Sequence, residues 1–469
     1  MRENLNRRDF LKAASLGVAS LALPGCMGAA NSPKGSLSAD RPNIILFISD
    51  DHGCADAGCY GNSVVRTPNV DSLAADGVRF TQAFAGSPTC TPSRSVIYTG
   101  LMPFRNGAHP NHSKIHAGTK TLPHYMKQLG YRVVLAGKVH VEPRQAFPFE
   151  YVPARLSGTR APPVPRTYGE DLDVSAADQL LADHIRNHND KPLFLIIGSW
   201  SPHVAWRWKK YNPDKVIVPP YLVDTPLTRE AIARYYTDVS RMDKQLGICL
   251  ESVEKHGLKN NTLFIYISDQ GAQFPHAKWN LYDPGIRVPF VARWPGKIRT
   301  NSINNAMVSL ADFLPTFIQA AGGTPPDNID GRGFLPLILG KVTHHRQDIF
   351  ATHTGDGEMN DFPIRCIRTR THKYILNLKS DNTYTSWITN GDDISGRDYW
   401  ETWLEKAKTD KQAAKIVNND QHRPAEELYD LRTDPYELNN IADDPANRKL
   451  VESLRKRLRD WRRQQGELR

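Results

Sequence analysis

The sequence predicts an α/β fold: a mostly parallel sheet flanked by helices over residues 40–330, then a smaller C-terminal α/β domain over 331–469 with antiparallel strands and a terminal helix. Three observations lead there. Apolar runs of strand length alternate with segments of helical period, the pattern of parallel strands joined by crossover helices. Acidic pairs stand directly after two of those runs, where ligand groups collect at the carboxyl ends of an open α/β sheet. After Gly331 the texture changes to short strand-like runs separated by polar turns.

In chain order, the apolar runs 43–49, 132–136, 193–199, 263–268 and 288–293 read as strands, and 70–76, 122–128, 172–187 and 228–255 as helices. In the last of these Ile232, Tyr235, Val239, Met242, Leu246 and Leu250 recur at steps of three and four and mark one buried face. Asp50-Asp51 follows the first strand and Asp269-Gln270 follows the fourth, so two distant segments are brought to one rim. Beyond 331, the runs 348–352, 364–369, 373–378 and 427–431 read as short strands and 450–461 as an amphipathic helix. The stretch 379–419 is polar and tryptophan-bearing and carries no clear signal.

The N-terminus has a separate character. Arg7-Arg8-Asp9-Phe10-Leu11-Lys12 before the apolar run 13–23 looks like a twin-arginine export signal, too short to span a bilayer. Leu23-Pro24-Gly25-Cys26 resembles a bacterial lipobox, which would place lipid on Cys26 and anchor the protein at the cell envelope. A cut at Gly28-Ala29-Ala30 would instead give a soluble periplasmic protein. The formal charge of +10 is concentrated at the two ends of the chain, leaving the body nearly neutral. No nucleic-acid motif accompanies the basic C-terminal helix, so it reads as a solvated face. Six cysteines in 469 residues are no disulfide framework. Besides Cys26 and Cys90 there remain Cys54, Cys59, Cys249 and Cys366, of which Cys54 and Cys59 could pair in an oxidising compartment or be small buried thiols.

The chemistry is carried by Cys90-Thr91-Pro92-Ser93-Arg94. Around it stand the two acidic pairs, Gly137-Lys138-Val139-His140, Ser201-Pro202-His203, and Lys278 within Ala277-Lys278-Trp279-Asn280-Leu281-Tyr282. Singly, each is an ordinary loop or cap element. In this order they resemble type I (formylglycine-dependent) sulfatases, whose maturation signature the pentapeptide matches. The likeness extends from about Asn43 to Tyr429-Asp430-Leu431, Asp434-Pro435 and Glu437-Leu438-Asn439-Asn440. Phe147-Pro148-Phe149, Val218-Pro219-Pro220-Tyr221, Arg241-Met242-Asp243 and Asn280-Leu281-Tyr282 are similar to the heparan N-sulfatase (sulfamidase) branch.

The resemblance implies an alkaline-phosphatase-like fold and hydrolysis of sulfate esters or sulfamates on sulfated carbohydrate, either heparan-type N-sulfoglucosamine or an algal polysaccharide. It implies one Ca²⁺ held by Asp50, Asp51, Cys90, Asp269 and Gln270, a hard cation among oxygen ligands. It further implies that a maturation enzyme oxidises Cys90 to formylglycine, whose hydrate is the nucleophile. Arg94 would hold that hydrate, Lys138 and Lys278 would stabilise the sulfuryl group, His203 would protonate the leaving atom, and His140 would help deprotonate the second hydroxyl. Gln270 stands where the family usually has Asn, and Lys278 where the sulfamidase branch has Arg, trading a bidentate fork for a point charge.

Three other readings compete. Phosphatases or phosphodiesterases of the same superfamily use two Zn²⁺, several histidines and a Ser or Thr nucleophile, against Cys90 and the histidine-free Asp269-Gln270 here. A non-catalytic glycan-binding lipoprotein on this scaffold would show the loss of a catalytic residue. A cysteine-thiolate hydrolase would need Cys90 unmodified beside a base. Trp200, Trp206, Trp208 and Trp279 flank the candidate loops and suit either sugar stacking or plain packing.

Overall fold

The computed structural model describes residues 41–152 and 175–468. The expected export signal, Cys26 and the first residues of the 172–187 helix lie outside the described residues.

Nine strands form the main sheet: β1 Asn43–Ser49, β2 Val78–Phe84, β3 Arg132–Gly137, β4 Glu150–Val152, β5 Leu193–Gly198, β6 Thr262–Ser268, β7 Arg287–Arg293, β8 Ser302–Asn304 and β9 Val308–Ser309. Their order is β4-β3-β5-β1-β6-β7-β2-β8, with β9 also beside β2. All neighbours are parallel except β7, which runs antiparallel to both β6 and β2. The five strands expected from apolar runs are present; β2, β4, β8 and β9 were not foreseen.

The central strand shows why its sequence is apolar without alternation. Every residue of β1 is buried. Ile44, Leu46 and Ile48 pack with Leu122, Met126, Phe313 and Phe317 on one face, while Ile45 and Phe47 pack with Val70, Leu73, Ile232 and Val239 on the other. A sheet covered on both faces has no polar side to read. The long helix Pro226–Lys255 lies on the second face. It begins two residues before the periodic signal, because Thr225 caps it by accepting from the Thr228 N–H at 3.2 Å and Pro226 fits the first helical turn. Burying Ile232, Met242 and Leu246 stabilises that face by about 1.5–3 kcal/mol per side chain.

The C-terminal stretch supplies an antiparallel sheet, β10 Asp348–His353, β11 Ile364–Thr369, β12 His372–Asn377 and β13 Glu426–Asp430, in that order. The helix Arg448–Gln464 covers one face through Val451, Leu454, Leu458 and Trp461. The other face packs Ile349, Ile364, Cys366 and Ile375 against Phe84, Leu281, Tyr282 and Ile286. The signal-less stretch 379–419 holds helices Trp387–Asn390, Arg397–Ala407 and Lys411–Gln421. Trp400 and Trp403 are buried there, and Trp403 Nε1 donates to Thr228 Oγ1 of the long helix at 2.7 Å. Cys54, Cys59, Cys249 and Cys366 are free thiols.

A buried ionic group joins this sheet to the loop after β6. Lys373 Nζ lies 2.6 Å from Asp283 Oδ1 and 2.8 Å from Glu437 Oε1, and Arg368 reaches Asp283 Oδ2 at 3.1 Å. Asp283 N–H donates to Glu437, which gives the Asp434-Pro435-Tyr436-Glu437 segment a structural role. Removing one partner strands buried charge. Lys373→Met should therefore lower unfolding free energy by about 3–5 kcal/mol, read from a denaturant midpoint, and Glu437→Gln in the same chain should recover part of the loss.

Candidate active site

The site begins with the register of β1 on β6, which sets Ser49 opposite Ser268. Asp50-Asp51 and Asp269-Gln270 therefore leave the sheet side by side, and the Asp269 N–H still donates to Ser49 O at 3.2 Å. All four side chains are buried. Ligand oxygens of Asp50, Asp51 and Asp269 lie within 4.8 Å of one another, as do ligand atoms of Asp50, Cys90 and His203. Asp51 is held in the left-handed region at φ 64°, an uncommon state for a non-glycine residue.

Cys90 opens a helix, Cys90–Thr99, every residue of which is buried. It is tied down from both sides. Ser93 Oγ donates to Asp269 O at 2.5 Å, Arg94 Nε donates to Asp269 Oδ2 at 2.9 Å, and Asn111 Oδ1 accepts from the Thr91 N–H at 3.3 Å. This places Cys90 Sγ 3.4 Å from Asp50 Oδ1, with Gln270 Nε2 donating to the sulfur at 3.0 Å. Burial, then the Asp50 charge, pushes the thiol well above its ordinary range, so a free thiolate is disfavoured.

Three cations answer the three carboxylates. Lys138 Nζ bonds Asp50, Lys278 Nζ lies 2.6 Å from Asp51 Oδ2, and Arg94 holds Asp269. Lys138 reaches the site because β3 and β5 converge at their ends: a Cβ on Gly198 would sit 2.4 Å from the Lys138 carbonyl. Burial works to protonate Asp50, but Lys138, His203, Arg94 and Lys278 hold it far below the usual carboxylate range. Asp269 goes the other way, raised to about 7 by burial and by Asp50. Burial also works to discharge Lys278, and Asp51 more than offsets it.

The two histidines are also drawn in. His203 Nδ1 is 2.6 Å from Val204 O, an atom that can only accept, so Nδ1 carries a proton and Nε2 faces Asp51 Oδ2 at 3.7 Å. Burial, then Lys278, lowers its pKa to about 4. His140 Nε2 meets His112 Nδ1 at 3.1 Å, and burial, then Lys138, lowers His140 to about 2, so the imidazole is neutral.

Residues 42–323, more than half of the chain, match the family model described as Sulfatase. The chain belongs to the sulfatase family. Residues 274–393 of this sulfatase also match the model of the N-sulphoglucosamine sulphohydrolase C-terminal region. It is 35% identical over 450 residues to an ulvan-active sulfatase of Formosa agariphila, covering 93% of this chain and 82% of that one. It is 27% identical over 469 residues to human N-sulphoglucosamine sulphohydrolase, covering 90% of each. A solved structure of a protein with its substrate D-glucosamine-2-N,6-O-disulfate shares the fold at TM-score 0.68 and 21% identity, covering 91% of this chain and 98% of that one.

Every site residue expected from the sulfatase sequence thus falls in one buried cluster or on the cavity above it. Of the four tryptophans, Trp279 lines that cavity and Lys138 Nζ lies 5.1 Å over the Trp200 ring, while Trp206 packs on Tyr235 and Phe274 and Trp208 is exposed. Not foreseen were Asn111, His112, Asp356 and Trp387, which also line the cavity. No motif marks them, since they come from connecting segments and the C-terminal stretch. The Ser93 hydroxyl ties the Cys90 helix to the end of β6. Ser93→Ala would strand the Asp269 carbonyl and should cost about 1–3 kcal/mol of stability by chemical denaturation, with unaltered secondary structure.

Proposed function

We propose that this sulfatase releases sulfate from sulfated carbohydrate, from an ester or a sulfamate, by way of formylglycine at position 90 and one bound Ca²⁺. The observation that carries the reading is the one-to-one facing of three buried carboxylates by three buried cations beneath a cavity of about 280 Å³.

The donor set fits a hard cation. Asp50, Asp51 and Asp269 bring carboxylate oxygens together, and Gln270 Oε1 is buried beside them with no hydrogen-bond partner among the described residues. Gln270 Nε2 faces Asp51 and Cys90, so turning the amide over would present that oxygen to the cluster in its place. When bound, the cation would polarise an oxygen of the substrate group and offset charge, and the oxidised, hydrated side chain at 90 would supply the nucleophilic hydroxyl.

The rest falls to the chain's own residues. With carboxylates and cations in balance, a divalent ion leaves the cluster doubly positive, and Lys138 and Lys278 become available to the sulfate oxygens. Arg94, fixed by Asp269, keeps Nη2 4.0 Å from Asp50 Oδ1 and donates from Nη1 to Lys138 O at 3.4 Å. Once protonated, His203 would give the Nε2 proton to the leaving oxygen or nitrogen. A sulfate anion alongside would raise its pKa from the low value set by burial and Lys278. His140, its low pKa raised by the bound anion, would take the proton of the second hydroxyl as sulfate departs.

The export motifs at the N-terminus favour an envelope location, with Cys26 as lipid anchor and a maturation enzyme acting before export. The test takes protein from the envelope fraction of the producing cell. Mass spectrometry of the peptide holding residue 90 should find an aldehyde in place of the thiol. Calcium-loaded protein should release sulfate from N-sulfoglucosamine oligosaccharides or from O-sulfated algal ones. Chelation should abolish release reversibly, and Cys90→Ala should lower it by at least about 10⁴-fold. An unmodified thiol in active protein, or release indifferent to Cys90→Ala, contradicts the reading.

A further inference from the structure

The cavity over Cys90 has two electrical sides. Its floor, at Cys90, is lined by Lys138, Lys278 and His203, and a wall beside it is lined by Asp356, Asp392 and Trp387 from the C-terminal stretch. Asp356 is 4% exposed and firmly oriented. Its Oδ2 accepts from Trp279 Nε1 at 2.7 Å and Asn111 Nδ2 at 3.0 Å, while its backbone N–H donates to Asn360 O at 2.8 Å. The other oxygen, Oδ1, lies 3.5 Å from His112 Nε2. Asn111 connects this wall to the nucleophile, since its Oδ1 accepts from the N–H next to Cys90 and its own N–H donates to Gly355 O at 3.0 Å. Trp387, 39% exposed, presents an aromatic ring on the same wall. A carboxylate held this way in a cation-floored pocket does not serve the sulfate group, which it would repel.

We propose that Asp356 is a specificity-determining residue that accepts hydrogen bonds from a hydroxyl or amino group of the sugar whose sulfate lies on the cationic floor. Trp387 covers a face of the ring. The volume, near the small end for ligand pockets, suits one sugar residue. A second sulfate on that ring would bring an anion up to the Asp356 carboxylate, a like-charge approach that specific sites use to reject wrong partners. The protein therefore favours singly sulfated sugars carrying free hydroxyl or amino groups over doubly sulfated ones. This rests on the sulfatase reading and narrows it to a substrate class.

Calorimetric binding to the calcium-loaded Cys90→Ala protein tests it without turnover. The probes are glucosamine N-sulfate, glucosamine 6-O-sulfate and glucosamine N,6-O-disulfate. At least one monosulfate should bind about tenfold or more tightly than the disulfate, and Asp356→Asn should bring the two within about threefold. Asn keeps an oxygen for Trp279 and Asn111, and the ratio with Asp356 intact decides the matter should that variant not fold. Trp387→Ala should weaken all three sugars while leaving the ratio. Equal binding of disulfate and monosulfates, a ratio unmoved by Asp356→Asn, or no sugar binding overturns the assignment. Sulfate release by the unsubstituted protein reports separately on the reaction, so a failed ratio beside active enzyme sinks Asp356 alone.

Discussion

The parallel register of β1 on β6 is the constraint on which the remaining structure depends. Ser49 opposite Ser268 sets two carboxylates from one strand against a carboxylate and an amide from another, more than two hundred residues apart in sequence. Three acidic side chains this close at full burial require a compensating arrangement. The compensation comes from three further segments: the Cys90 helix gives Arg94, the end of β3 gives Lys138, and the loop after β6 gives Lys278. A one-residue slip of β1 would turn its side chains to the opposite faces, breaking the core and the site together.

Burial then does the electrostatic work. In water these ion pairs would be worth little, but in a dry cluster an uncompensated charge is expensive and a paired one stays ionised. The opposed shifts of Asp50 and Asp269 express this: one carboxyl is overdetermined by cations, while the other is raised by burial and its neighbour's charge. A bound divalent cation would stabilise all three carboxylates and hand the lysines to an incoming anion. The same low dielectric that makes the cluster costly makes it effective toward a sulfuryl group.

Much of this was legible in the sequence, for reasons that particular residues make clear. β1 and β6 are continuous apolar runs ending in acids, and the long helix announces itself by the spacing of Ile232, Val239, Met242 and Leu246. β2 was missed although Val78, Phe80 and the polar residues between them alternate, because the run is short and holds Arg79, Thr81 and Gln82. The Cys90–Thr99 helix has no apolar stripe to find: it is buried on every side and tied down by Asp269 and Asn111, partners that only the folded chain supplies. Arg397–Ala407 carries Tyr399, Trp400 and Trp403 on one face, a signal diluted by its charged neighbours. Asp356, His112 and Trp387 reach the cavity through tertiary packing alone. Chemistry common to the family was written in motifs, whereas the cavity wall from the C-terminal stretch was not.

The most direct test is a crystal structure of the protein grown with calcium and inorganic sulfate. The account predicts one ion among the oxygens of Asp50, Asp51, Asp269 and Gln270, with Lys138 and Lys278 turned from their carboxylates onto a sulfate beside residue 90. Calcium bound elsewhere, or lysines still seated on Asp50 and Asp51 with sulfate outside the cavity, would contradict it.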